Sequence, residues 1–380
     1  MNTTKGSVFL FSAFFIVASA LGAAWQTKRL TNTAGNSNNA RLAADGLNIY
    51  AVWEDDNPGN AEIYFKRSTD GGLTWLATKK ITNSANDSHG PAITVNGSNI
   101  YVTWYEDMTG ESQVFFRRSE DGGATWKAVK QVTDNAGFSG APVIAVNGAN
   151  VYLAWVDRTP GNNEIYFMRS IDGGATWQAA KRLTNTAGSS MDPAIAVNGA
   201  NIYLAWYDDT PGNAEIYVRK STNGGTSWQA AVRLSFNAGG SYAPAIAVKN
   251  NAVYVSWSDN SPSAGGYTEV YFRKSPDGGT SWLTEKRLTN TAFNSNTPAL
   301  AYTGTNVFVA WSDATPGNNE IYLRKSTNSG GSFAGSERLT NNSGFSYEPD
   351  VVISGTNIYV IWHDNTPGNN EIYIKYSLIE

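Results

Sequence analysis

The chain repeats one unit seven times, and this repeat limits its possible folds more than any other feature of the sequence. The repeat is easiest to follow on the tryptophan of strand-like runs such as "NIYLAW". Successive tryptophans are 51 residues apart, except for one interval of 54 that contains three extra loop residues. A period of this length is typical of propellers, solenoids and similar arrays. The seven anchors are Trp53, Trp104, Trp155, Trp206, Trp257, Trp311 and Trp362.

Each unit contains four short runs with strand character, separated by Gly, Asn and Pro. In the fourth copy they read "PAIAV", "NIYLAW", "EIYVRKS" and "WQAAVRL". The second run is apolar on both of its alternating faces, so both faces must be covered by neighbouring copies. The sequence therefore predicts an all-β fold, a seven-bladed β-propeller with four strands in each blade.

The two ends of the chain supply one blade together. The last copy stops after three strands, at "EIYIKYSLIE", whereas "WQTKRLT" at Trp25–Thr31 is a fourth strand without a unit of its own. We expect this N-terminal strand to close the last blade and to remove the open edge of the ring. The predicted blades span about 36–83, 87–134, 138–185, 189–236, 240–290, 294–341, and 345–380 plus 25–31.

Residues 1–24 form a separate segment, with one Lys followed by the apolar run "SVFLFSAFFIVASALGAA". This pattern predicts a secretory signal peptide, cleaved after Ala20 or Ala24. The alternative is a retained membrane anchor, because the apolar run is near the lower length limit of a spanning helix. Both interpretations place residues 25–380 outside the cytoplasm, either secreted or at the cell surface.

Charge and composition exclude several classes of function. The net charge is −4 without a long charge run, so we expect neither nucleic-acid binding nor membrane contact beyond the N-terminal segment. The chain has no Cys and two His, which excludes disulfides, thiolate catalysis and Cys-based metal sites. No cofactor and no metal are predicted.

A second repeated element is an octet such as "SIDGGATW", which joins the third strand to the fourth. Its third residue can accept hydrogen bonds from the turn, its Gly pair permits positive φ, and its last residue can cover the turn. A general acid or nucleophile would not occur in six interchangeable copies, two of them with Asn. We therefore interpret the third position as structural: Asp70, Asp121, Asp172, Asn223, Asp277 and Asn328.

The octet resembles the Asp-box, S-x-D-x-G-x-T-W, of the sialidase-like superfamily of propellers with BNR repeats. Six full boxes and one split across the termini cover the predicted propeller. The resemblance implies that the boxes lie at the blade periphery, away from any active site. The superfamily includes sialidases, seven-bladed xyloglucanase-type glycosidases and a propeller that is no enzyme. This chain lacks the "RIP"-type arginine motif of sialidases, and most of its Arg residues recur with the repeat.

In a propeller, the loops from an outer strand to the next blade's inner strand share one face with the loops between strands two and three. The boxes lie on the opposite face. The first of these two loop sets varies between copies. Each first strand begins with an invariant Ser, followed by a variable pair and, in six copies, by Pro. Such variation within a constant frame suits an asymmetric ligand, although drift at loop tips would produce it too. The pairs are Asn38-Asn39, His89-Gly90, Gly140-Ala141, Met191-Asp192, Tyr242-Ala243, Asn296-Thr297 and Tyr347-Glu348. We predict ligand contacts at His89, Met191, Asp192, Tyr242, Asn296, Tyr347 and Glu348.

Two recurring acidic positions accompany these loops. The carboxylate two residues after each anchor Trp could attract cations at the mouth of the ring, but we favour an Asx-type turn into "TPG". The Glu nine residues after the Trp is interpreted as a cross-strand ion pair or hydrogen-bond anchor. The acids of the first set are Asp55, Glu106, Asp157, Asp208, Asp259, Asp313 and Asp364.

Two functions remain open at this point. One is a secreted or cell-surface propeller that binds a glycan or an extracellular protein, or acts as a scaffold. The alternative is a sialidase-like or xyloglucanase-like glycoside hydrolase, which would need two unlike carboxylates across a pocket. If the chain is an enzyme, the candidates are Asp192, Glu348 and Tyr347. The near-identical blades favour the binding module.

Overall fold

The structure is a computed structural model that describes residues 24–57, 59–261 and 266–379, and it forms seven four-stranded antiparallel sheets. The all-β, seven-bladed prediction is confirmed, and the described residues contain no helix. The predicted signal peptide lies outside the described residues except for Ala24. Among the residues that are described, no helix is long and apolar enough to span a bilayer.

Blades 1 to 6 each take four consecutive strands. Their bounds are β2 (Ser37–Asp45), β3 (Asn48–Asp55), β4 (Glu62–Ser68) and β5 (Lys79–Lys80); β6 (Ser88–Asn96), β7 (Asn99–Asp107), β8 (Ser112–Ser119) and β9 (Lys130–Gln131); β10 (Ser139–Asn147), β11 (Asn150–Asp157), β12 (Glu164–Ser170) and β13 (Lys181–Arg182); β14 (Ser190–Asn198), β15 (Asn201–Asp208), β16 (Glu215–Ser221) and β17 (Val232–Arg233); β18 (Ser241–Lys249), β19 (Ala252–Asp259), β20 (Glu269–Ser275) and β21 (Lys286–Arg287); β22 (Ser295–Thr303), β23 (Asn306–Asp313), β24 (Glu320–Ser326) and β25 (Glu337–Arg338).

Blade 7 combines the two ends of the chain, as the sequence predicts. It consists of β26 (Ser346–Ser354), β27 (Asn357–Asp364), β28 (Glu371–Leu378) and β1 (Gln26–Arg29), in that order across the sheet. Strand β1 pairs antiparallel with β28, from Gln26 opposite Tyr376 to Arg29 opposite Tyr373. The first strand of every blade contacts the first strands of both adjoining blades, so these seven strands surround a central channel.

The core lies between the blades rather than within them. Seven apolar clusters each combine residues of two adjacent blades. The anchor tryptophans are buried there, and each stacks on an aromatic ring of the neighbouring third strand, as Trp53 does on Tyr64 at 6.1 Å. This placement explains why the second strand is apolar on both faces.

The octets lie on one face of the ring, which we call the box face. Besides connecting the third strand of a blade to its fourth, they contact the preceding blade. Asp70 accepts hydrogen bonds from Ser68 Oγ at 2.7 Å and from the backbone N–H of Thr74 at 2.9 Å. These bonds, led by the Thr74 hydroxyl, lower the pKa of Asp70 to about 2. The box tryptophan Trp126 packs edge-on against Phe65 of the preceding blade.

The glycine and asparagine positions of the octet follow from this geometry. Gly123 has φ of +84°, and an added Cβ would come within 2.6 Å of Phe65, so both conformation and space require Gly. In the Asn boxes, Asn223 Oδ1 accepts from Ser227 N at 2.9 Å, while its amide donates to Ser227 Oγ at 2.8 Å. Asn can therefore replace Asp because the hydroxyl partner reverses its role.

Candidate site at the channel mouth

The opposite face, which we call the loop face, carries the variable pairs at the mouth of the channel. In every first strand the register with the second strand shifts at the pair, as between Asn38 and Arg41 in blade 1. Such bulges re-aim side chains and are common beside active sites. The second residue of each pair has positive φ, which disfavours every residue except Gly. These residues are Asn39, Gly90, Ala141, Asp192, Ala243, Thr297 and Glu348, with φ of 47–56°.

The recurring Ser and the recurring carboxylate hold this mouth together. Ser37 Oγ donates to Asp55 Oδ2 at 2.6 Å, and Asp55 Oδ1 accepts from the backbone N–H of Asn57 at 2.9 Å, which forms an Asx turn. Blades 3 to 7 repeat both bonds. Blade 2 differs, because Glu106 accepts instead from Ser84 Oγ at 2.8 Å. The seven carboxylates are buried and bonded within the protein, so they do not form an open cation-attracting ring.

The Glu of the third strand is an ion-pair anchor in six blades. Glu164 lies 2.8 Å from the Arg182 guanidinium, and Glu62 lies 2.9 Å from Lys80. Glu269 makes the same contact with Arg287 at 2.6 Å, although the three-residue insertion hides its position in the sequence spacing. In blade 2, Gln113 replaces the acid and donates to the Asn135 carbonyl at 2.9 Å.

A third variable position completes the mouth, and the sequence comparison missed it. The residue directly after each anchor Trp is paired with the first residue of the variable pair, as Glu54 is with Asn38 and His363 is with Tyr347. This position differs between blades, so the comparison of copies that identified the pairs could have found it. The residues are Glu54, Tyr105, Val156, Tyr207, Ser258, Ser312 and His363.

Aromatic side chains from several blades line part of the mouth. Tyr242 packs edge-on against Tyr207 at 5.3 Å, and the Tyr207 hydroxyl lies 3.1 Å from Met191 Sδ. Tyr347 stacks on Phe345 at 5.8 Å. Met191 and Tyr242, two of the predicted contact residues, therefore both contact Tyr207, and the three side chains form one group that spans blades 4 and 5. A similar group forms where Tyr105 contacts both His89 and Phe138 of the next blade.

Blades 1 and 2 contribute a histidine between two carboxylates. His89 Nδ1 lies 3.6 Å from Glu54 Oε2, and His89 Nε2 lies 3.7 Å from Asp107 Oδ2. The contact with Glu54 is the main cause of a raised pKa at His89, which burial opposes. Burial also acts to raise the pKa of Glu54, but His89 and the Gly90 N–H at 2.9 Å outweigh it and lower that pKa. This arrangement favours a charged pair.

Blade 7 contributes a second histidine–carboxylate pair with the opposite tendency. His363 Nδ1 lies 4.0 Å from Glu348 Oε2, and neither atom has a hydrogen-bond partner. Burial lowers the pKa of His363 despite the charge of Glu348, and Arg41 lowers it further. His363 is therefore favoured in its neutral form, whereas His89 is favoured in its charged form. Glu54 of blade 1 also acts electrostatically on His363 and opposes the lowering of its pKa.

The channel wall below these pairs carries two further charges that do not repeat. Arg41 and Asp350 occupy the same position of the first strand, where the other blades have Ala or Val. Asp350 accepts from the Leu42 N–H at 2.8 Å and from the Val351 N–H at 2.9 Å. Burial raises the pKa of Asp350 and Arg41 opposes this shift. The ionisable residues of blades 7, 1 and 2 that do not repeat thus form one group, which we call the charged cluster. It comprises Arg41, Glu54, His89, Asp107, Glu348, Asp350 and His363.

Asp192 lies apart from the charged cluster. Its strand, β14, contacts β10 and β18, whereas Glu348 belongs to β26 on the other side of the ring. The structure therefore does not place these two acids on neighbouring strands. Desolvation by the neighbouring protein raises the pKa of Asp192. Desolvation and the charge of Asp192 together raise the pKa of Tyr207 to about 12. Asn296 faces Ser312 in blade 6.

Comparison with known proteins identifies the family of this propeller. Two overlapping matches to the BNR repeat-like domain, over residues 50–255 and 101–360, cover most of the chain. The chain belongs to the BNR repeat-like family. This finding confirms the resemblance that the octets indicated. The BNR propeller is 23% identical over 220 residues to a sialidase of Bacteroides fragilis, a match that covers 52% of this chain and 40% of the sialidase.

Solved structures of carbohydrate-active enzymes share the fold of the BNR propeller. The polysaccharide lyase Uly1 matches with a TM-score of 0.63 and 9% identity over 90% of both chains. The phage phi92 endosialidase matches with a TM-score of 0.58 and 12% identity, over 94% of this chain and 69% of its own. The GH93 α-L-arabinofuranosidase of Fusarium graminearum matches at 0.56 and 15%, over 77% and 93%. At these identities the likeness concerns the fold alone.

Proposed function

We propose that the BNR propeller is a secreted or cell-surface module that binds a glycan across the mouth of its channel. The observation that carries this proposal is that the non-repeating residues of the blades converge on the loop face, while the recurring Ser and carboxylate positions bond to one another in six of the seven blades. Aromatic side chains offer the flat, partly polar surface on which sugar rings stack. An extracellular protein is the other partner class that this face suits.

The composition of the mouth favours a long ligand over a small one. The group of Met191, Tyr207 and Tyr242 and the group of Tyr105 and Phe138 lie in different blades and flank the same channel. A ligand that contacts both groups must extend across several blades. A glycan chain has this length.

The binding proposal is tested with Tyr242→Ala, whose side chain is 39% exposed, on an array of extracellular glycans. We expect loss of at least about 1 kcal/mol of binding free energy, the scale of one aromatic contact. The matched control is Ile171→Ala, because Ile171 is 59% exposed on the box face. Equal binding by both variants and the wild type, or no bound glycan at all, would contradict the proposal.

Glycoside hydrolysis is a second candidate, favoured by the charged cluster. Glu54 and Glu348 belong to adjacent blades and have unlike environments, because Glu54 Oε2 accepts from the Gly90 N–H whereas Glu348 Oε2 has no hydrogen-bond partner. Glycoside hydrolysis requires two unlike carboxylates of this kind. Glu54→Gln and Glu348→Gln should each lower the rate on a cleaved glycoside by about 100-fold or more. Asp192→Asn tests the acid that the sequence suggested and serves as the control. A wild type that cleaves no chromogenic glycoside or polysaccharide would exclude this candidate for those substrates.

A further inference from the structure

Two clefts open between adjacent blades, and each is lined on one side by the recurring carboxylate. The larger, about 520 Å³, lies between β1 of blade 7 and blade 1, and the smaller, about 250 Å³, lies between blades 6 and 7. Both are lined by the same positions of the repeat. In the larger cleft these are Trp53, Asp55, Tyr64 and Lys66; in the smaller they are Trp362, Asp364, Tyr373 and Lys375.

Each cleft contains a buried hydrogen-bond donor without a partner. The indole Nε1 atoms of Trp53 and Trp362 are buried and unbonded. In blades 2, 3, 5 and 6 the same indole donates to the carboxylate two residues later, at 3.0–3.4 Å. A buried N–H without a partner is unfavourable, so an acceptor that entered the cleft would gain a hydrogen bond that the protein does not supply.

A lysine of the third strand distinguishes both clefts from the corresponding places in the other blades. Lys66 and Lys375 stand where blades 2, 4, 5 and 6 have Arg and blade 3 has Met168. In blade 4, Arg219 donates to Gln229 O of its own blade at 2.6 Å and to Leu183 O of the preceding blade, so its guanidinium crosses the gap. Lys66 Nζ donates to Leu30 O at 2.8 Å. The compact ammonium leaves space that the planar guanidinium fills.

We propose that these two clefts bind one neutral monosaccharide unit each, so that the chain carries two sugar sites besides the channel mouth. The half-buried ring of Tyr64, which stacks on the buried Trp53 at 6.1 Å, provides an apolar wall for the C–H face of a sugar. The Trp53 N–H and the Lys66 ammonium provide donors for its hydroxyl oxygens. Lys66 and Asp55 balance each other in charge, which favours a neutral ligand. The cleft volumes of about 520 and 250 Å³ lie within and just below the range of small-molecule sites, which suits a single ring.

The repeat itself supplies the test. Lys66→Arg and Lys375→Arg copy the residue of four other blades, so the variants should fold. The probes are the methyl glycosides of glucose, galactose, mannose and fucose, and native mass spectrometry counts the sugars bound per chain. We expect two bound sugars for the wild type, one for each single variant and none for the double variant. Thermal melts check that all variants are folded.

The reverse substitution provides the matched control. Arg219→Lys should open a third site in blade 4, where the Trp206 indole also lacks a partner. No binding of any of the four glycosides by the wild type, or unchanged binding by the double variant, would overturn the proposal. Tyr242→Ala separates the two kinds of site, because it should weaken glycan binding at the mouth and leave the cleft count at two. A count that falls only with Tyr242→Ala would assign the sugar to the mouth and reject the clefts.

Discussion

Removing the arginine alone from the ion pair between Glu164 and Arg182 should destabilise blade 3 about twice as much as removing both partners. Glu164 is fully buried, and its Oε1 accepts from Arg182 at 2.8 Å, from Thr186 N at 2.9 Å and from Asn162 Nδ2 at 3.1 Å. Arg182→Gln leaves this carboxylate buried without a counter-charge. We expect a loss of about 3 kcal/mol, the lower end for buried pairs, because 31% of the Arg182 side chain is exposed.

Blade 2 shows how the double substitution should behave. Gln113 and Gln131 occupy the same two positions, and the Gln113 amide bonds to Asn135 O while Gln131 bonds to Thr133 O. Glu164→Gln alone should cost about 1.5 kcal/mol, since it removes one charged hydrogen bond of a partly exposed arginine. The double variant copies blade 2 and should also cost only about 1.5 kcal/mol.

The free energies are measured by urea unfolding, followed by tryptophan fluorescence, with one common slope for all four proteins. The single losses add up to about 4.5 kcal/mol, so the expected coupling energy is about 3 kcal/mol. Additive losses would refute the reasoning, because they would mean that Glu164 does not depend on Arg182 for its charge. Equal unfolding midpoints for wild type and Arg182→Gln would refute it as well.

Three further predictions concern the ring, the boxes and the histidines. Deletion of Trp25–Thr31 should lower the melting temperature by exposing the edge of β28, and an unchanged melt would mean that the N-terminal strand does not stabilise the ring. Asp172→Ala should lower the melting temperature and leave glycan binding per folded molecule intact; a selective loss of binding at full stability would contradict the structural role of the box. His89 has a raised pKa, so its charge stabilises the fold below the unfolded pKa of about 6.5 and this contribution is lost as pH rises through the folded pKa. His363 has a lowered pKa, so stability is lost as pH falls below about 6.5. Melts between about pH 5 and 8 should therefore show that His89→Gln removes stability mainly in acid, while His363→Gln reduces the acid loss; equal effects of both variants would contradict these directions.

The fold could be predicted from the sequence because the same pattern of strands and turns occurs in seven copies. An error in one copy is corrected by the others, and the apolar second strand indicates neighbours on both sides. The closure by β1 was predictable for the same reason, since a strand without a unit and a unit without a strand match each other. Local sequence and global arrangement agree at every blade.

The charged cluster could be predicted only in part. His89 and Glu348 stand at variable pairs and were identified there, but Glu54 and His363 follow a buried tryptophan within a strand. A strand pattern alone does not reveal that this position reaches the mouth, because the register shift at the bulge decides which residue faces which. Which blades combine their charges also depends on ring closure, which places blade 7 beside blade 1.

The closure of blade 7 has a consequence for how the chain is made. Among the described strands, β1 is synthesised before all the others and its partner β28 after all the others, so the hydrogen bond from the Ile372 N–H to Thr31 Oγ1 can form only late. This long-range pairing therefore forms only after the other six blades have been synthesised, and such contacts are slow to form. Until then, an unfinished chain exposes a free strand and an incomplete ring. Any product truncated near its C-terminus keeps these unpaired edges, which makes it a ready substrate for chaperones and proteases.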